Sequence, residues 1–187
     1  MRQDGTQVDP RVQEEELIRR AQADPAAFQP LYENYYKPIF RFVHRRIGDK
    51  DLTADVTSQV FLKALLHIRG FKFRGVPFSA WLYRVAVNEC AEFFRKHKRE
   101  RLVVLEDESV GLLYEEIFAD DMLEEWKRKL PAILEQLDAD QLQVIELRFL
   151  ENRPFREVAH ILGITESYAK IRTYRILRKM ERIFIEG

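Results

Sequence analysis

The chain has 187 residues with 31 basic and 31 acidic side chains, so it is not a uniformly basic binder of polyanions, and 46% apolar residues suffice for real cores. No apolar run approaches the roughly 18 residues of a membrane helix, and the opening MRQDGTQVDPRVQEEE lacks a signal peptide's apolar stretch. The single cysteine, Cys90, has no partner for an intramolecular disulfide and reads as a structural thiol, so a folded, cytoplasmic protein with no membrane span is expected.

Helical periodicity dominates, and proline and glycine fall at breaks. Residues 1–23 read as a polar segment. A helix can begin at Asp24-Pro25, with Asp24 as cap and Pro25 at the first helical position, carrying Phe28, Leu31, Tyr32, Tyr35 and Tyr36. A further segment, Ile39 to Ile47, ends at Gly48-Asp49. Asp51 or Thr53 then starts a helix with a buried stripe of Val56, Val60, Phe61, Ala64, Leu65 and Ile68, closed by Gly70. GFKFRGVPFS reads as a loop, after which Ser79 can cap a long helix from about Ala80 to Lys98.

From Leu102 to Glu125 there is no basic residue but nine acidic ones, so the positive charge lies in the flanking stretches. Residues 102–125 are expected as an acidic linker, joining a first domain at 24–101 to a second at 126–187. The fold class is therefore all-α, two small helical domains.

In the second domain Phe155, Val158, Ala159, Ile161 and Leu162 make the apolar side of a short helix. Gly163 supplies a left-handed turn, and Thr165 caps a following helix. This is a helix-turn-helix pattern. Ala169, Thr173, Ile176 and Met180 would face inward, leaving Lys170, Ile171, Tyr174, Arg175 and Arg178 on an outward basic and aromatic face suited to the DNA major groove.

In the helix after Ser79, the residues Arg84, Asn88, Glu92, Arg95 and Arg99 recur on one face, and RKHKRER can contact phosphates. Asn88 offers a donor and acceptors for a base edge. The preceding loop, with Lys72, Phe73, Arg74 and Phe78, places aromatic rings beside basic side chains, an arrangement that can hold single-stranded DNA. Trp81 reads as core.

The stretch Asp55-Val56-Thr57-Ser58-Gln59-Val60-Phe61-Leu62-Lys63-Ala64 with Phe78-Ser79-Ala80-Trp81-Leu82-Tyr83-Arg84-Val85-Ala86-Val87-Asn88 resembles region 2 of the extracytoplasmic-function (ECF) sigma factors of bacterial RNA polymerase. Phe155-Arg156-Glu157-Val158-Ala159-His160-Ile161-Leu162-Gly163-Ile164 with Ala169-Lys170-Ile171-Arg172 resembles their region 4. The two occur in the family's order with an acidic stretch between. Ser58, Glu92, Ile171 and Tyr174 depart from the residues more usual there.

The resemblance implies a factor that binds core RNA polymerase, recognises the minus-ten and minus-thirty-five promoter elements and promotes DNA melting. Asp55, Thr57, Ser58 and Gln59 are the matching exposed residues for the polymerase clamp. Lys72, Phe73, Arg74, Phe78, Arg84, Asn88 and Arg95 fall to the minus-ten element. Thr165, Ser167, Lys170, Ile171, Arg172, Tyr174, Arg175 and Arg178 fall to the minus-thirty-five duplex. The linker is expected to thread into the polymerase, and an anti-sigma factor is a further partner of many relatives.

Two other readings compete. A stand-alone helix-turn-helix regulator would pair as a dimer over two half-sites, and would leave the aromatic loop and the first-domain helix without a task. An enzyme is disfavoured because His44, His67, His97 and His160 lack metal-ligand spacing and no phosphate loop or nucleophile-base pattern occurs. No metal, cofactor or catalytic residue is expected.

Overall fold

The computed structural model describes residues 10–73, 75–97, 107–118 and 122–187, and every regular element among them is helical. The chain divides between Lys98 and Arg99 into two compact units.

The first unit contains α1 (Pro10–Ala23), α2 (Gln29–Ile47), α3 (Lys50–His67) and α4 (Phe78–His97). Residues expected only as a polar segment thus include a helix. Ile18 and Ala21 of α1 are buried, and its polar side chains fasten neighbouring elements. Gln22 Nε2 donates to the carbonyls of Ile68 and Phe71 at 3.0 and 2.9 Å, and Glu14 accepts hydrogen bonds from the Tyr35 hydroxyl and the Phe78 backbone N–H.

Asp24 accepts the Ala26 N–H at 3.0 Å and opens a short 3-10 turn, Pro25–Phe28, that runs straight into α2. The two segments expected here are one helix, continuous through Pro38. A mid-helix proline costs about 3 kcal/mol. Leu31 on one side of it and Ile39, Phe42, Val43 and Ile47 on the other share the core and offset that loss. Gly48, at φ 76°, ends the helix with its N–H on the His44 carbonyl.

α3 starts earlier than expected because Asp49, rather than Asp51 or Thr53, accepts the Leu52 N–H at 2.9 Å. Of its expected stripe, Val56, Val60, Phe61, Ala64 and Ile68 are buried and Leu65 is half-buried. α4 likewise begins at Phe78. Ser79 is not its cap but lies inside the helix and is buried. Cys90 is buried in the same helix.

The second unit contains α5 (Asp107–Ile117), α6 (Leu123–Glu135), α7 (Ala139–Ile145) continued by a π turn (Glu146–Leu150), α8 (Phe155–Leu162) and α9 (Glu166–Glu186). Part of the stretch expected as linker is therefore a packed helix. Val110, Leu113 and Tyr114 enter the core of this unit, and Ile117 packs against it. The exposed Glu115 and Glu116 stay on the water side. At the centre Trp126 is fully buried, its ring 5.3 Å from Phe118 and 5.5 Å from Phe184.

α7 opens with a capping box in which Asp138 and Gln141 each accept the other's backbone N–H. Gly163, at φ 69°, turns the chain between α8 and α9, and Thr165 Oγ1 accepts the Tyr168 N–H at 3.2 Å to start α9. The helix-turn-helix read from the sequence is present. Among the described residues no helix is long and apolar enough to cross a membrane.

Candidate nucleic-acid interface

On α9, Ala169, Thr173, Ile176 and Met180 are buried as expected. Ser167, Lys170, Ile171, Tyr174, Arg175 and Arg178 are exposed, so the outward face exists. Its lateral positions are braced. The Lys170 ammonium lies 2.9 Å from Glu166 and 5.9 Å from the centre of the Phe155 ring, which also has Tyr174 beside it at 6.3 Å. Arg148 covers the same ring at 4.9 Å.

Two residues expected on this face have other tasks. Arg172 is half-buried, its guanidinium 3.4 Å from Asp140 at the start of α7, because its position turns it toward that helix rather than outward. Thr165 uses its hydroxyl as the helix cap. Tyr168, which the sequence reading passed over, is 48% exposed and lies beside the face. Its exposure follows from the same helical count that placed Ile171 outward.

In the first unit Arg84, Asn88 and Arg95 are exposed along α4. Glu92 of the same face is tied down, with Lys63 at 3.3 Å and Lys96 at 2.7 Å. Lys72 and Phe73 of the loop are exposed, whereas Arg74 and Arg99 lie outside the described residues. Phe78 is not available to DNA. It is completely buried among Phe71, Trp81 and Tyr35, because the first turn of α4 directs its ring into the core. Trp81 is only half-buried.

The residues expected at the polymerase also divide. Asp55, Ser58 and Gln59 are exposed on α3, but Thr57 is completely buried and its hydroxyl has no hydrogen-bond partner, because it stands on the inward side of the helix in line with the buried Thr53 and Ala64. Asp55 and Gln59 line a groove of about 340 Å³ between α3 and α4, together with Lys63, Glu89, Glu92 and Lys96.

Across this groove Lys63 holds the buried Glu89 at 2.6 Å as well as Glu92. The hydrogen bond to Glu89 raises the Lys63 ammonium above its ordinary pKa, and the hydrogen bonds from Lys96 and then Lys63 lower the Glu92 carboxyl. Sequence reading missed this link because its partners lie on different helices. Lys63→Met leaves the Glu89 carboxylate buried without its ammonium, and is expected to destabilise the first unit by about 1–2 kcal/mol in a urea titration. The exposure of Lys63 keeps the loss below that of a fully buried pair. Adding Glu89→Gln should recover part of it, and an unchanged midpoint in Lys63→Met would contradict the role.

The sequence matches two family models, sigma-70 region 2 over residues 31–100 and sigma-70 region 4 over residues 133–182, which together cover more than half of the chain. It is 34% identical over 90% of its length to the ECF RNA polymerase sigma factor BldN of Streptomyces coelicolor, of whose length it spans 64%. It is 26% identical to the ECF RNA polymerase sigma factor SigM of Bacillus subtilis, over 84% of this chain and 94% of that one. Among solved structures, CnrH in complex with the cytosolic domain of CnrY resembles the fold with a TM-score of 0.63 at 19% identity, over 93% of this chain and 98% of that one. The sigma factor RpoE of Bartonella quintana, in complex with the anti-sigma factor NepR, has a TM-score of 0.57 at 18% identity, over 85% and 96%. With both regions in order, each carrying its exposed polar helix, the chain belongs to the sigma-70 family, in its extracytoplasmic-function group.

Proposed function

We propose that this chain binds core RNA polymerase, directs it to promoters by reading the minus-ten element with the first unit and the minus-thirty-five element with the second, and promotes melting of the DNA. The observation that carries the reading is the pair of solvent-facing helices in one chain, α4 with Arg84, Asn88 and Arg95 and α9 with Lys170, Arg175 and Arg178. A single operator reader needs only the second. The protein acts in the cytoplasm as a binding factor without catalytic chemistry of its own, and an anti-sigma factor is its natural restraint.

Lys72, Phe73, Arg84, Asn88 and Arg95 meet the minus-ten element. Ser167, Lys170, Ile171, Tyr174, Arg175 and Arg178 meet the minus-thirty-five duplex. The segment around 102–125 runs through the polymerase, its acidic side chains suited to a channel built for nucleic acid, with α5 as its docked part.

Asp55, Ser58 and Gln59 are the polymerase contacts. Substituting Asp55→Ala and Gln59→Ala together should weaken core polymerase binding at least tenfold, on the order of 1.5–3 kcal/mol for charged and neutral hydrogen bonds lost at an interface. Helix content and melting temperature should stay near the parent's, because both side chains are exposed. A pull-down titration with equal polymerase affinity for variant and parent would reject these positions.

A further inference from the structure

The centre of the outward face of α9 is apolar rather than charged. Ile171 is 50% exposed and Tyr174 48% exposed, and they lie between Lys170 on one flank and Arg175 on the other. Ile171 and the buried Met180 are nine residues apart, about two and a half turns, so Ile171 points directly away from the core of the unit. Tyr174 is held beside it by the ring of Phe155 at 6.3 Å.

We propose that Ile171 and Tyr174 form an apolar reader for thymine, seating the 5-methyl groups of the upstream promoter element between the flanking basic side chains. This rests on the reading of α9 as the helix that enters the major groove. The flanking charges commit the face to a phosphate-bearing occupant, since Lys170, Arg175 and Arg178 surround the apolar centre.

Once such a helix is seated, the residue pointing straight into the groove loses its water. Guanine, adenine and cytosine carry no methyl group there, and an isoleucine pressed against their polar edges leaves donors or acceptors unpaired. Thymine alone presents a methyl group, which an isoleucine and the edge of a tyrosine can cover. The apolar centre therefore selects by penalising the wrong bases as well as by packing against the right one.

The experiment uses holoenzyme assembled from the full chain and core polymerase. Duplexes retained from a pool randomised over the upstream element identify the thymines, each of which is then replaced by deoxyuridine, which removes the methyl group and nothing else. At one or two positions the parent should bind the deoxyuridine duplex about fourfold more weakly, the weight of a single buried methyl or methylene group. Ile171→Ala should bind thymine and deoxyuridine duplexes alike there, and Ile171→Val should keep most of the difference. Equal affinity of the parent for both duplexes at every position would overturn the proposal and leave the apolar patch to a protein partner. A full penalty retained by both Ile171→Ala and Tyr174→Ala would overturn the assignment to these residues. If the holoenzyme retained no upstream sequence at all, duplex recognition by α9 would itself fail, and the proposal with it.

Discussion

Trp126→Ala is expected to destabilise the second unit strongly while leaving the stability of the first unchanged. The ring is fully buried against Tyr114, Phe118 and Phe184, which come from the two ends of the unit's sequence, so its removal opens a cavity that no single helix movement can close. Large-to-small changes of this kind cost about 3–5 kcal/mol, against a total of about 5–15 kcal/mol for a typical domain. The chain has two tryptophans, so the variant keeps Trp81 of α4 as a fluorescent reporter of the first unit. Urea titration followed by circular dichroism should show an early loss of helix, with the Trp81 transition in place. Trp126→Phe should be milder, because it keeps an aromatic ring and gives up an indole N–H that is buried without a partner. A Trp126→Ala protein whose helix signal melts at the parent's midpoint would contradict this view of the core.

Asn88→Ala is expected to separate promoter opening from promoter binding. Asn88 is exposed on α4, so its truncation should change stability by less than about 0.5 kcal/mol. A hydrogen bond from its amide to an unstacked base, once lost, costs on the order of 1–3 kcal/mol at the melting step, which is at least a fivefold fall in open complex. Arg84 and Arg95 on the same face still attract the phosphates, so closed binding should persist. Permanganate reactivity of the unpaired thymines measures the first quantity and filter retention the second. Equal melting by variant and parent would remove Asn88 from the site.

How far these elements could be read from the chain depends on how sharply each helix divides into two faces. α9 was legible apart from Arg172, which turns toward Asp140, and the exposed Tyr168, because small and apolar residues recur inward while charge and aromatics recur outward. α3 was not, because its polarity runs against its burial. Thr53 and Thr57 are completely buried, whereas Leu62 and Leu66 are 48% and 66% exposed. A reading that equates polar with exposed therefore places Thr57 at the surface.

The aromatic loop failed differently. A phenylalanine before a helix has the same composition whether it is a stacking platform or a core residue, and only the course of the first turn of α4 buries Phe78 while leaving Phe73 at 39% exposure. In the acidic stretch the charge count masked a periodicity that was present. Val110, Leu113, Tyr114 and Ile117 stand at helical spacing, and that stripe docks on the second unit although the surrounding side chains are acidic. The link from Lys63 to Glu89 joins positions 26 residues apart, and no local pattern announces it.

The central claim is tested most directly by transcription in a purified system. Core RNA polymerase free of other initiation factors, given genomic DNA fragments from the source organism, should produce transcripts with discrete starts only when this chain is added, each preceded by two shared sequence elements. Absence of any factor-dependent start, with the chain instead binding paired half-sites as a dimer, would contradict it and identify a stand-alone regulator.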